Sequence, residues 1–263
     1  AFLDWLSRVT APRLEGDGLV LRLPEIRDYP AWAQLEEESQ GFLAPWEPAW
    51  SDDELSRNAY RERLSRYRCE ARERTAYNFF VFGDGGATLY GGLSLGLIRR
   101  GVAQSGTLGY WMGERYAGCG HMSAAVRLVS IYAFDVEGLH RLEAACLPSN
   151  ERSSRLLERA GFRQEGYLRK YLKIAGEWED HNLYSLLAED WSRSRRMGRN
   201  ADRLESCLPL GRAAARRRTG IGDTAIEPSR AFVVIAGLFV RHVALRLFAC
   251  LYTHLRAHET KAN

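Results

Sequence analysis

The chain has 263 residues, 46% apolar and 27% charged, with a formal net charge of +4 and a mean hydropathy of −0.34. That length allows one large or two small domains with a buried core, and the composition excludes a collagen-like, coiled-coil, wholly disordered or polytopic membrane chain. The charge is divided: residues 1–192 hold 23 basic and 28 acidic groups against 14 and 5 in residues 193–263, so the basic character belongs to the tail and the acidic body suits a basic partner.

The opening AFLDWLSRVTAPRLEGDG carries Asp4 early and lacks a basic start followed by an apolar run. It therefore does not read as a signal peptide, and a cytoplasmic protein is expected. Five cysteines (Cys69, Cys119, Cys146, Cys207, Cys250) stand at irregular spacings with no CxxC, and six histidines (His121, His140, His181, His242, His254, His258) are scattered. Neither a disulfide framework nor a metal site is expected from that pattern.

In chain order, Gly18–Leu23 alternates as a first strand, and Asp28 can cap a helix with Pro30 in its first turn that continues through Glu38. Pro45 and Pro48 make residues 41–50 a connector. Ser51 and Glu54 form an S-x-x-E capping box for a long, mostly solvated helix to about Arg74. Ala76–Phe82, the turn Asp84-Gly85-Gly86 and Thr88–Ile98 read as a hairpin, and Ser105–Met112 as the next strand. After the segment 113–120, Met122, Val126, Val129 and Ala133 recur at helical spacing. His140–Leu147 is a strand, and Asn150 caps a helix that ends at Gly161. Phe162–Leu172 and Trp178–Leu187 close the body as a hairpin turning at Ala175-Gly176. The order β-α-α-β-β-β-α-β-α-β-β predicts an α/β (α+β) fold.

Beyond Trp191 the composition becomes basic and irregular, so the expected division is a folded domain over 1–192 and a poorly ordered tail over 193–263. Within the tail, 231–252 is apolar-rich. Arg241 and Arg246 would each cost about 2.5–3.5 kcal/mol near a bilayer centre, which argues against a spanning helix. A surface-seeking or packed helix, or a segment without an evolved role, remain open.

The informative element is the strand SGTLGYWM running into RYAGCG and a helix. Glycines at 118 and 120 let a backbone approach a bulky anion, and the helix start offers unpaired N–H groups and the positive end of its dipole, as a diphosphate requires. A Walker loop is excluded because no Gly-Lys-Ser/Thr follows, and no repeated βαβ pattern supports a dinucleotide fold. A glycine pair at such a turn also serves plain packing, so the second element decides. It is NERSSRLLERAGF, residues 150–162.

R-x-x-G-x-G after a GYWM strand, with N-x-x-S-x-x-L-L-E-x-x-G-F some thirty residues later, resembles the GCN5-related N-acetyltransferases. LGYWMGERYAG, the AACLPSN strand end and the YLKIAGEWEDH hairpin resemble the ribosomal-protein-alanine branch of that superfamily. The resemblance covers roughly residues 10–190. It implies a mixed central sheet of about seven strands, splayed at an acetyl-coenzyme A cleft and flanked by about four helices. It also implies acetyl-coenzyme A as co-substrate without a metal, and a protein N-terminus, that of an alanine-starting ribosomal protein, as acceptor.

On the same resemblance, Trp111, Met112 and Gly113 would pair with pantetheine, and Arg115, Tyr116, Ala117, Gly118, Cys119, Gly120, His121 and Met122 would cradle the diphosphate. Asn150 would contact the pantetheine arm, and Ser153 would lie near the thioester sulfur as a candidate proton donor. Arg152 and Arg155 are candidates for the 3′-phosphate. Cys119 departs from the family pattern, where Arg or Lys is common, so weaker coenzyme binding is expected. Ala145 stands where some relatives carry an acid–base Glu and Leu157 where many carry Tyr, leaving Glu36, Glu47 or Glu114 as water-relayed bases. Two other readings stay open. One is acetylation of a small amine or antibiotic; the other is a weak catalyst whose tail binds membrane or nucleic acid, although no specific nucleic acid is expected for the body.

Overall fold

The computed structural model describes residues 12–193. The reading of the tail, including 231–252, falls outside those residues.

Eight strands form one mixed sheet in the order β1-β2-β3-β4-β5-β6-β8-β7, one more than expected. The extra strand arises at the start, where β1 (Arg13–Gly16) pairs with β2 (Leu19–Arg22) across the two-residue turn Asp17-Gly18. Both turn residues have positive φ (52° and 75°), the mirror-type turn that matches strand twist. The hairpin β3 (Tyr77–Gly83) and β4 (Thr88–Arg99), strand β5 (Ser105–Met112), β6 (Arg141–Cys146) and the closing hairpin β7 (Arg163–Ile174) and β8 (Glu177–Leu187) follow the expected order.

Helix boundaries differ more. Helix α1 (Tyr29–Glu38) follows Asp28, but the Asp28 carboxylate caps nothing in it. Instead it takes a two-pronged bond from Arg22 at 2.7 Å and one from the Glu25 amide at 2.7 Å. The stretch expected as a connector holds a single turn, α2 (Gln40–Leu43), and a 3-10 turn at Ala44–Trp46 that accommodates Pro45 near its start, where no N–H is needed. Helix α3 (Arg57–Glu73) begins later than the Ser51 capping box, because Ser56 caps it through the Ala59 amide at 3.1 Å while Glu54 is drawn to Arg63 at 2.6 Å. Nor is α3 merely solvated: Tyr60, Arg63 and Leu64 are buried, with Tyr60 stacked 4.9 Å from Trp32 and the Arg63 guanidinium 4.4 Å over the same indole.

Helices α4 (His121–Ile131) and α5 (Glu151–Arg159) cover the other face. Two cores result. Tyr110, Met112, Val126, Val129, Leu142 and Leu157 lie in the core on the α4/α5 side; Trp32, Leu35, Tyr60, Phe80 and Trp111 lie in the core on the α1/α3 side. Alternation along β5 thus sends Tyr110 and Trp111 to opposite faces.

The parallel pairing of β5 with β6 runs only from Ser105↔Arg141 to Leu108↔Ala144. Beyond it β5 stays on β4 as far as Met112, while β6 stays on β8 as far as Cys146. The two strands part and leave a gap in the middle of the sheet. At the opposite end of the sheet Glu137, just past α4, accepts bonds from Tyr77 (2.7 Å), Tyr132 (2.9 Å), Arg74 (3.0 Å) and Arg100. Since Arg74 caps α3, this carboxylate ties the helices of the two faces together. Burial works to raise its pKa, but the bonds from Tyr77, Arg100, Tyr132 and Arg74 outweigh burial and hold it below the usual range.

Candidate functional site

β5 leads into a 3-10 turn at Glu114–Tyr116, and the chain then reverses into α4 through Gly118 and Gly120, with φ of +82° and +84°. A Cβ at either glycine would meet nothing within 4 Å, so glycine is required there by conformation and not by crowding. Gly120 is the N-cap of α4 and supplies no side-chain cap. The first helical bond runs from the Ala124 amide to the Gly120 carbonyl at 3.1 Å, so the amides of His121, Met122 and Ser123 point ahead of the ladder toward the turn. Tyr90 braces this geometry, stacked 4.2 Å from Tyr116 and tilted against His121 at 4.7 Å.

The turn opens on a cleft of about 420 Å³ lined by Met112, Tyr116, Ala117, Gly118, Gly120, His121 and Met122, with Arg152, Arg155, Leu156 and Arg159 of α5 opposite. Three arginines along one helix give that wall a positive field. The Arg152 pKa is lowered by burial and by its neighbour Arg155, and Arg155 also holds Glu151 at 2.8 Å. Uncapped amides on one wall and guanidinium groups on the other suit a large, multiply charged anion.

The other expected site residues sit around this cleft. Trp111 packs edge-on to Phe80 on the α1/α3 face. Arg115 pairs with Glu38 at 3.4 Å, and the Glu114 amide after Gly113 is held by the Ser39 hydroxyl at 3.1 Å. The Cys119 thiol is exposed, 3.8 Å from the Ala117 carbonyl. Asn150 is buried and caps α5 through the Ser153 amide at 3.0 Å. Ser153 is 0% exposed and its Oγ meets the phenol of Tyr110. That pair bridges β5 to the first turn of α5 across the gap. Burial raises the Tyr110 pKa well above the usual range, so the phenol stays protonated.

The three carboxylates weighed as bases differ in burial and partners. Glu36 is buried and accepts the Trp32 indole N–H at 2.9 Å. Glu47 is buried, accepts the Trp50 indole N–H at 3.1 Å, and its carbonyl holds Ala175 in the β7–β8 turn at 2.8 Å. Glu114 is exposed. Two buried polar residues of the sheet, Tyr110 and His181, stand out in the structure. In the sequence Tyr110 is one aromatic of the strand SGTLGYWM, and only the pairing across the gap reveals its partner. His181 read as one of several scattered histidines, although its place on the closing hairpin beside the end of β6 was implicit in the strand order. Among the described residues no group of three or more His, Cys, Asp or Glu side chains is placed to hold a metal ion, and no helix is long and apolar enough to cross a membrane.

The sheet thus parts between two parallel strands, with a glycine turn and an uncapped helix start at the parting. Residues 18–163 match the acetyltransferase (GNAT) domain family, and the chain belongs to that family. It is 36% identical over 177 residues to a probable N-acetyltransferase, YjcK, of Bacillus subtilis, covering 67% of this chain and 98% of that one. It is 33% identical over 189 residues to the ribosomal protein uS5 alanine N-acetyltransferase of Escherichia coli, covering 72% and 97%. Among solved structures, the ribosomal-protein-S5-alanine acetyltransferase of Vibrio fischeri superposes with a TM-score of 0.64 at 32% identity, covering 68% of this chain and 98% of that chain. Mycobacterium smegmatis RimJ, solved in complex with CoA-disulfide, gives 0.64 at 32% identity, covering 68% and 88%.

Proposed function

We propose that this N-acetyltransferase moves the acetyl group of acetyl-coenzyme A to the α-amine of a protein N-terminus, that of an alanine-starting ribosomal protein. The observation that carries the donor half is the uncapped start of α4 facing three arginines across the cleft. The diphosphate lies on the amides of 121–123 and the turn, Arg152 and Arg155 meet the 3′-phosphate, and the pantetheine arm runs along the free edge of β5 at Trp111–Gly113 beside Asn150. The thioester then passes through the gap from the α4/α5 face toward the α1/α3 face. The acceptor half is supported by relatives whose names specify ribosomal-protein alanine acetylation.

An α-amine suits the site energetically. With a pKa of about 7.7–8.0 it needs only about 1–1.4 kcal/mol to lose its proton at pH 7, against about 4.6 kcal/mol for a lysine. Positioning and backbone donors at the developing oxyanion supply the remaining acceleration. Ser153 enters in an indirect form: paired with Tyr110 behind the cleft wall, it sets the width of the gap and so the position of the sulfur.

The test is acetylation of a peptide array with free and blocked N-termini, read by mass spectrometry. Modification confined to free N-termini, strongest on alanine-starting peptides, is the expected result. Modification confined to internal lysines, or to small amines, rejects this acceptor.

A further inference from the structure

Resting on the acetyl transfer just proposed, we infer that His181 is the proton acceptor for the incoming amine and returns that proton to the departing thiolate. β6 pairs with β8 through Glu143↔Ser185, Ala145↔Leu183 and Cys146↔Asn182. Partners across a ladder share a face, and side chains alternate along a strand. His181 therefore follows Leu183 and Ser185 on the face that carries Ala145 and Glu143. Through the pairing of Thr107 with Glu143, that face also carries Trp111. It is the face toward which a thioester entering from the α4/α5 side emerges, and His181 stands one residue past the last β6–β8 pair, at the open end of the gap.

Its local bonds fix the chemistry. His181 is 1% exposed, and its Nδ1 lies 3.0 Å from the Glu179 carbonyl. A carbonyl only accepts, so Nδ1 carries the proton and Nε2 keeps its lone pair. Among the described residues Nε2 has no hydrogen-bond partner. A bulge in β7 between Leu168 and Leu172 turns Tyr171 so that its ring meets the imidazole edge-on at 5.7 Å. The charges acting on the imidazole are Glu179 and Asp180 of its own strand. The β7 group facing it is Tyr171, itself in the field of Glu143 and Arg99. Burial outweighs the two carboxylates and lowers the His181 pKa, so the ring is neutral at pH 7. A buried, neutral, orientated imidazole stands just past the end of β6, on the face that carries Ala145.

The step balances within the two substrates and this side chain. The amine lone pair forms the N–C bond to the thioester carbonyl, and the excess amine proton passes to Nε2 directly or through one water. The C–S bond then breaks with its electrons on sulfur, and the imidazolium gives its proton to the thiolate.

The test combines kinetics with a readout that needs no turnover. His181→Asn keeps a donor for the Glu179 carbonyl but removes the base, and His181→Ala opens a space for free imidazole. The expected result is a loss of about 100-fold in kcat for each, with acetyl-coenzyme A affinity by calorimetry unchanged, and partial rescue of His181→Ala by imidazole. Folded variants that keep kcat within about threefold, or a loss without rescue, overturn the proposal. Nitrogen-15 NMR of the wild-type ring decides it even if both variants fail to fold or the enzyme turns out to use another acceptor: a neutral Nδ1–H ring at pH 7 supports it, and an Nε2–H or doubly protonated ring overturns it. Acetylation of a small amine in place of a peptide, with these signatures intact, removes the acceptor reading alone.

Discussion

The two faces of the parted sheet are built differently. On the α4/α5 face the site is mainly backbone: two glycines in the left-handed region and a helix start without a cap, faced across the cleft by a row of arginines. On the α1/α3 face it is side chain: Trp32, Tyr60 and Arg63 stack on one another, Trp111 joins their core, and buried carboxylates are claimed by indole N–H groups. On the proposed reading, the backbone site takes what every donor molecule shares, the diphosphate, while a side-chain wall can change with the acceptor. Glu137 holds the two faces together at the end of the sheet away from the gap, which leaves the open end free to accept both substrates.

Removing that clamp gives the largest expected effect. Glu137→Ala leaves two phenols and two guanidinium groups without their shared partner, and a stability loss of about 3–5 kcal/mol is expected, read as a lower urea midpoint. Because the folded pKa of Glu137 is depressed, its contribution is fully present above the unfolded value of about 4.3 and is lost as pH falls through the folded value. Glu137→Gln therefore flattens the wild-type stability curve below about pH 4. A variant as stable as wild type would show that the two faces hold together without this carboxylate.

Gly120→Val sharpens the contrast from the coenzyme side. Forcing a β-branched residue to φ +84° costs about 1–2 kcal/mol, so calorimetry is expected to show acetyl-coenzyme A binding about 5- to 30-fold weaker. Gly120→Val with wild-type affinity would mean that the turn is not a backbone site.

Tyr110→Phe or Ser153→Ala leaves one buried hydroxyl unpaired, at about 1–3 kcal/mol, and is expected to lower kcat by misplacing the sulfur. The double variant is expected to be less damaging than the sum of the two. Fully additive losses would break the strut and return Ser153 to a role of its own. The smallest effect is expected at Cys119→Arg, a tightening of coenzyme binding by about two- to fivefold at low salt that fades as salt screens it.

The same contrast explains what the sequence showed. Glycines 118 and 120, the Asn150 cap and the strand that precedes them are local signals, and the structure places them as read. The Asp17-Gly18 turn was equally local, but the two short strands it joins carry too few residues to show their period. Helix α3 began at Ser56 and not Ser51 because Glu54 found a better partner in Arg63, nine residues on. Asp28 was taken from its helix by Arg22. Ser153 met Tyr110 only because β5 and β6 part. Each of these depends on distant pairing, which spacing along the chain does not encode.

The central claim is that the turn into α4 holds the donor by its diphosphate. It is tested most directly by titrating the wild-type protein with acetyl-coenzyme A and with acetyl-pantetheine, which keeps the thioester and lacks the nucleotide and diphosphate. Binding of acetyl-pantetheine at least about 100-fold weaker, a difference of about 2.7 kcal/mol, is the predicted result. Equal affinity for the two would contradict it.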